Sequence, residues 1–341
     1  MIMPAVKANG YGHGAIQVSQ ACLEAGVEVL CVSSIEEGVE LREAAIDAPI
    51  LILGCSSISA AKPIVDYNII STVCDLSFAQ ALSDAALANG VKAPVHVKID
   101  TGMGRIGIPI AGSVEFFESL SKFPGLSIEG VFTHFPSADE EDRAFTLTQI
   151  EAFSIIIGKL QNRGIHIKLA HASNSAGILG YQEADFDAVR PGIMIYGLYP
   201  SPSTPRSIPL REALTLKTQI VFLKTAQTGT PISYGRTHIL KRESKVATIP
   251  IGYADGYPRG LSNCGEAAVR GVRVPIIGRV CMDQCLIDVT AVPNVSVDDE
   301  VILYGGGCDF LSVSNVAEKV GTISYELLCA ISPRVRRVYS W

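Results

Sequence analysis

Short apolar runs punctuate the first two hundred residues at near-regular intervals. They are IMPAVK (2–7), EVLCVS (28–33), PILILG (49–54), IISTV (69–73), VHVKID (95–100), IEGVFT (128–133), IKLAHA (167–172) and GIMIYG (192–197). Most are close to continuously hydrophobic, which predicts strands covered on both faces. Between most of them lie amphipathic stretches such as IEEGVELREAA (35–45) and TQIEAFSIIIGKLQNRG (148–164), the second closing on Gly164 as a helix stop. Buried strands separated by helices predict a parallel sheet, and eight such runs suit a (β/α)8 barrel of the TIM type. A doubly wound sheet is the structural alternative.

The texture changes at YPSPSTPRSIP (199–209), which reads as a linker. Beyond it, LTLKTQIVFLKTA (214–226), KVATIPIGY (245–253), RGVRVPIIGRVCMD (270–283), CLIDVT (285–290) and DEVILYG (299–305) are β-rich runs broken by Gly, Pro and Asn, with one apolar helical stretch near 312–331. The expected organisation is an α/β barrel over residues 1–203 and a mostly β domain over 204–341.

Composition narrows the function classes. Of 341 residues, 48% are hydrophobic and 18% charged, enough for a large core. The net charge of −6 gives no nucleic-acid footprint. Nine cysteines without a CxxC pair argue against a zinc ribbon and suit a reducing cytosol. No run is long enough for a membrane span, and no signal peptide is evident, so the expectation is a cytoplasmic protein with no metal site.

A barrel displays its chemistry where its strands end. Lys7 closes the first run and opens a loop with Gly10, Gly12 and Gly14. A partly desolvated lysine there can form a Schiff base, although a strand-capping lysine looks the same in sequence. KIDTGMGRIG (98–107) brings Lys98, Asp100 and Arg105 together. Arg105 suits a carboxylate or phenolate, or equally a solvated ion pair. His134 follows the sixth run, and Asn174 and Ser175 in HASNSAG (171–177) suit phosphate oxygens or a helix cap. Arg190 precedes Pro191, which holds it extended. Its guanidinium could face a ring nitrogen or close a salt bridge. In the second domain, Tyr234 in PISYGRTH (231–238) acts as a base only beside positive charge.

Taken together and in order, AVKANGYGHG, KIDTGMGRIG, THF…ADE, HASNSAG, RPGIMIYG, SYGRT, PIGYADGYPR, GRVCMDQ and TISYELLCAISPRV resemble the blocks of the alanine racemases. These are enzymes that use pyridoxal 5′-phosphate (PLP), and the resemblance covers nearly the whole chain. It implies a homodimer with shared active sites that interconverts L- and D-alanine and supplies D-alanine for peptidoglycan. It implies that Lys7 joins PLP as a Schiff base and serves as one acid/base group, with Tyr234 of the partner subunit as the other. Arg190 matches the arginine at the pyridine nitrogen, and His134 the histidine packed near it. Tyr11, Ser175, Gly192, Ile193 and Tyr196 match phosphate-binding positions, and Asn174 lies in the same block. Arg105 matches a residue near the phenolate and substrate carboxylate, Lys98 a lysine often carbamylated, and Met282 and Asp283 partner-subunit residues at substrate entry.

Two departures stand out. Only six residues precede Lys7, where members usually carry a longer segment. The expectation is a truncation or a misassigned start, with an exposed apolar patch and reduced stability. Pro333 stands where some members have a tyrosine near the substrate, which leaves room for serine or other small amino acids. The rivals are a broader small-amino-acid racemase, a PLP-barrel decarboxylase and a non-catalytic PLP-binding protein.

Overall fold

Six of the eight apolar runs become strand, as their buried, β-branched composition requires, and the first, 2–7, takes a strand position through isolated bridges. The computed structural model describes residues 1–340, in two units, Met1–Leu210 and Arg211–Trp341. The first unit holds β1 (Leu30–Val32), β2 (Ile50–Ile52), β3 (Ser71–Val73), β4 (Ala93–Asp100), a short β5 (Ile108–Pro109) beside β4, β6 (Leu126–Phe132) and β7 (Leu169–His171). Every ladder here is parallel. Parallel bridges Leu51↔Ile70, Ala5↔Cys31, Ile2↔Val189 and His171↔Ala188 close the strands into a ring. The segment 2–5 is the staple, since Ala5 N–H donates to Pro191 O (2.8 Å) while Cys31 N–H donates to Pro4 O (2.8 Å).

Two of the helices between the strands begin where a short polar side chain caps them. Ser34 accepts from Glu37 N at the head of Ile35–Glu43, and Asp75 accepts from Phe78 N (2.8 Å) at the head of Leu76–Ala88. Ala144–Asn162 stops before Gly164, whose φ of +72° ends it as expected. Leu30, Ile50, Val95, Val97 and Val131 are fully buried in the resulting core.

One run departs from expectation. GIMIYG is not the eighth strand; Ile193–Tyr196 forms a 3₁₀ turn, and the strand position is filled by the preceding residues, Ala188 to Pro191. Pro191 offers no N–H to continue the ladder, and Gly197 closes the turn at φ +84°. The apolar character of Ile193 and Tyr196 reflects burial in a turn, not in a sheet.

The second unit is mostly antiparallel β. Its strands are β8 (Leu216–Gln219), β9 (Phe222–Ala226), β10 (Pro231–Ile232), β11 (His238–Ile239), β12 (Ser244–Ile249), β13 (Glu266–Val269), β14 (Val272–Ile277), β15 (Cys285–Asp288) and β16 (Glu300–Tyr304). Seven form one sheet in the order β8-β16-β13-β14-β15-β12-β9, with β10 and β11 as a separate hairpin. Two residues separate β8 from β9, yet they lie at opposite ends of that order, so the sheet curls into a half-barrel. The helical stretch near 312–331 is two helices, Val313–Lys319 and Ser324–Ala330, parted at Gly321 (φ +70°).

In the barrel, Gly130 of β6 has a packing reason. A Cβ there would stand 2.6 Å from Cε1 and Nδ1 of the buried His96 ring on β4. Gly130→Ala therefore overpacks the strand pair and is expected to destabilise the fold by about 1–3 kcal/mol. The check is the urea midpoint; an unchanged midpoint would mean that the His96 ring moves aside freely.

Candidate active site

Lys7 sits where the segment 2–6 leaves the barrel, and it is half-buried. The chain then makes a left-handed turn: Ala8, Asn9 and Gly10 have φ of 51°, 52° and 59°, and Tyr11 has 50°. Such a turn costs about 1–2 kcal/mol for each non-glycine residue, so it persists only where its surroundings over-determine it. Glu37 supplies one restraint: its carboxylate accepts from Ala8 N (2.7 Å) and from Ser33 N (2.6 Å), tying the residue after Lys7 to the end of β1. Asn9 supplies another, its side chain accepting from Ala15 N (2.9 Å) at the start of the next helix.

Arg190 is 4% exposed and organises the barrel end. Its Nη2 donates to Thr133 O (2.7 Å) and Ala172 O (2.8 Å), and its Nη1 to His171 Nδ1 (2.5 Å). Burial lowers its pKa to about 10, far above neutrality, so it stays charged. A guanidinium only donates, so His171 Nδ1 must be the acceptor and the ring proton of neutral His171 lies on Nε2. That N–H faces His96 Nδ1 at 2.8 Å, which puts the His96 proton on its Nε2. Both rings are held neutral, first by burial and then by the Arg190 charge; His96 is lowered to about 4. Among the described residues the Arg190 Nε–H makes none of these bonds.

His134 follows β6, with Nδ1 3.5 Å from Arg190 Nη2. Its pKa falls well below the usual imidazole range, first through burial and then through the positive charges of Arg190, Lys98, Arg105 and Lys7. Four cations acting on one ring describe a site built for an anion. Lys98 is 2% exposed, its ammonium has no hydrogen-bond partner, and it lies 4.8 Å from the centre of the Phe132 ring. Burial, then Arg190, lower its pKa to about 7. Asp100 shapes the loop that carries Arg105, accepting from Gly102 N (2.9 Å) and Gly104 N (3.0 Å). Burial alone would raise the Asp100 pKa, but those N–H groups and Lys98 outweigh it and hold it low. Arg105 itself is exposed.

A second group of residues converges beside the first. Ser175 Oγ accepts from Gly192 N (2.8 Å) and Met194 N (3.3 Å). A Cβ on Gly192 would lie 2.8 Å from the Tyr11 hydroxyl, so the missing side chain leaves room there. Asn174 caps the helix Ser175–Gly180 through Gly177 N (3.0 Å) and donates to Phe135 O (3.1 Å). Ile193 is fully buried. Tyr196 stacks on Tyr11 (5.0 Å between ring centres), and its hydroxyl donates to Ala5 O (2.9 Å), two residues before Lys7.

In the second unit, Tyr234 is 73% exposed on a strained loop: Ser233, Gly235 and Arg236 all have positive φ. Ser233 Oγ anchors that loop by donating to Arg279 O (2.7 Å). Met282 is exposed on the neighbouring segment, and Asp283 pairs with Arg334 (2.8 Å).

Three participants escape sequence reasoning: His96, His171 and Glu37. His171 opens the HASNSAG motif, but its importance depends on Arg190, nineteen residues away. Lys98 yields a test. Its folded pKa lies below its unfolded one, so between about pH 7 and 10.5 the unfolded chain binds more protons and stability from this group rises with pH. The full cost of the buried charge is present below pH 7. In CO2-free buffer, thermal unfolding should shift upward between pH 7 and 9, and Lys98→Met should remove that rise; an identical rise in the variant would refute the account.

Residues 1–200 match the family described as alanine racemase, N-terminal domain, and residues 213–339 the alanine racemase, C-terminal domain. An alanine racemase of Halothermothrix orenii is 48% identical over 99% of this chain and 89% of its own length. Alanine racemase 2 of Caldanaerobacter subterraneus is 47% identical over 99% and 88%. The solved alanine racemase of Clostridium difficile superposes with a TM-score of 0.94 at 38% identity, covering 98% of this chain and 87% of that one. That of Bacillus anthracis, solved with bound L-Ala-P, gives 0.91 at 38% identity, covering 98% and 86%. With its barrel, its half-barrel and its full set of sequence blocks, the chain belongs to the alanine racemase family and is a racemase.

Proposed function

We propose that the chain interconverts L- and D-alanine with PLP, as a cytoplasmic homodimer whose D-alanine feeds peptidoglycan. The observation that carries this reading is that His134, 3.5 Å from Arg190, feels the positive charges of Arg190, Lys98, Arg105 and Lys7 beside the cradle of Tyr11, Ser175 and Gly192. A phosphate ester and an amino-acid carboxylate are the anions such a site suits.

The residues present fit the cofactor. Tyr11, Ser175 and the Gly192 N–H form a cradle that a Cβ would fill, suited to phosphate oxygens, with Ile193, Asn174 and Tyr196 supporting it. The uncommitted Arg190 Nε–H suits a ring nitrogen that must stay unprotonated. PLP, when bound, supplies an electron sink that lowers the cost of removing the α-proton.

Racemisation takes a proton from one face of Cα and returns one to the other. One base would have to move; two on opposite faces need not. Lys7 Nζ serves one face, and the Tyr234 hydroxyl of the partner subunit serves the other. Arg105 orients the substrate carboxylate, and Met282 and Asp283 of the partner subunit border the entry path. Lys98 takes up CO2: its amine forms the N–C bond and loses a proton. The resulting carbamate attracts Arg105 where an ammonium would repel it.

The decisive assay incubates PLP-loaded protein with L-alanine, L-serine and L-lysine separately and measures each D-enantiomer. D-alanine should dominate, with some D-serine tolerated because Pro333 stands where a tyrosine would narrow the site; no D-alanine would end the proposal. Lys7→Ala should abolish borohydride-fixed PLP. Tyr234→Ala should retain it while losing about 10²–10⁴-fold in rate, more in one direction than in the other. Equal losses in both directions would refute a two-base scheme.

A further inference from the structure

Cys55 and Cys74 have no part in the chemistry above. Cys55 lies three residues beyond β2 and is exposed; Cys74 directly follows β3 and is half-buried. The bridge Leu51↔Ile70 runs these two segments side by side, so both sulfurs emerge at the same end of adjacent parallel strands. Their Sγ atoms are 2.8 Å apart, inside the contact distance of unbonded sulfurs and about 0.8 Å longer than a disulfide bond. Cys55 also lines a cavity of about 360 Å³ with Ser34, Glu36, Ser56, Ser57 and Ser59, a polar opening that admits a small polar oxidant. Cys74 faces inward, close enough to Lys98 for its charge to be felt there, and it accepts the Gly107 N–H.

We propose that Cys55 and Cys74 form a reversible dithiol–disulfide site oxidised by hydrogen peroxide. The exposed Cys55 reacts first. Its thiolate attacks one peroxide oxygen, the O–O bond breaks, hydroxide leaves, and the sulfur is oxidised to a sulfenic acid. The Cys74 sulfur then attacks the Cys55 sulfur, the S–O bond breaks, and the hydroxyl leaves as water with the Cys74 proton. The balance is two thiols and one peroxide giving one disulfide and two waters. Cys74 is placed for the second role by its sulfur, 2.8 Å from that of Cys55; burial holds it as a thiol, so its proton passes to the departing hydroxyl as the S–S bond forms. A small thiol donor reverses the bond by exchange. The bridge joins the ends of β2 and β3 next to Lys98, which is where a redox signal could reach the anion site.

The test treats the full PLP-loaded chain with hydrogen peroxide, quenches free thiols and reads mass. The expected product lacks two hydrogens, yields a Cys55–Cys74 linked peptide on digestion, and reverts with dithiothreitol. Cys55→Ser should block the linkage altogether, and Cys74→Ser should leave Cys55 as a sulfenic acid trapped by dimedone. The wild-type peptide map needs no variant to fold, and it does not depend on racemase activity. Over-oxidation of Cys55 with Cys74 still free, or a linkage joining other cysteines, would overturn the proposal.

Discussion

A guanidinium that cannot shed its proton is buried at the end of the barrel, and much of the site is arranged around it. Arg190 needs acceptors, and it takes the carbonyls of Thr133 and Ala172, just beyond β6 and β7, together with the His171 ring. Those bonds fix three neighbouring strand ends relative to one another. They also impose a tautomer on His171, which imposes one on His96, which lies against the bare backbone of Gly130. Leaving such a charge unpaired would be strongly destabilising, so each link of that row is needed.

The electrostatics of the site run against stability on their own. Four cations act on His134, while Asp100 is engaged with its own loop. Mutual repulsion of this kind is relieved by an anionic ligand, so binding and folding share one source of free energy. Backbone strain shows the same pattern. The left-handed turn after Lys7 and the positive-φ residues around Tyr234 are conformations that their neighbours enforce. In each unit, the strain falls beside the residue proposed to move a proton.

The barrel was legible because buried parallel strands write themselves as apolar runs, and Gly164 marks a helix end in a way sequence preserves. GIMIYG misled because hydrophobicity reports burial and not conformation; Pro191 and Gly197 carried the information that a turn stood there. Lys7, Arg190 and Ser175 were legible as members of recognisable blocks. Glu37, His96 and His171 were not, because each acts through a partner that only the closed barrel brings near. Asn174 shows the converse: its side chain is engaged as a helix cap, a use that residue type alone allowed equally well.

The staple of the barrel sets an order of assembly. Met1 and Asp187 are bonded across a separation of 186 residues, and Ala5 reaches Pro191 over a similar span. During synthesis Lys7 is made well before Ala188 to Pro191, and the pairing that seats it awaits that eighth strand position. The intervening strands β1 to β7 pair with closer neighbours and can organise beforehand, whereas this contact carries a large loop-closure entropy. The lysine is thus made long before it is positioned, so a nascent chain stalled before residue 188 would carry Lys7 without its seat.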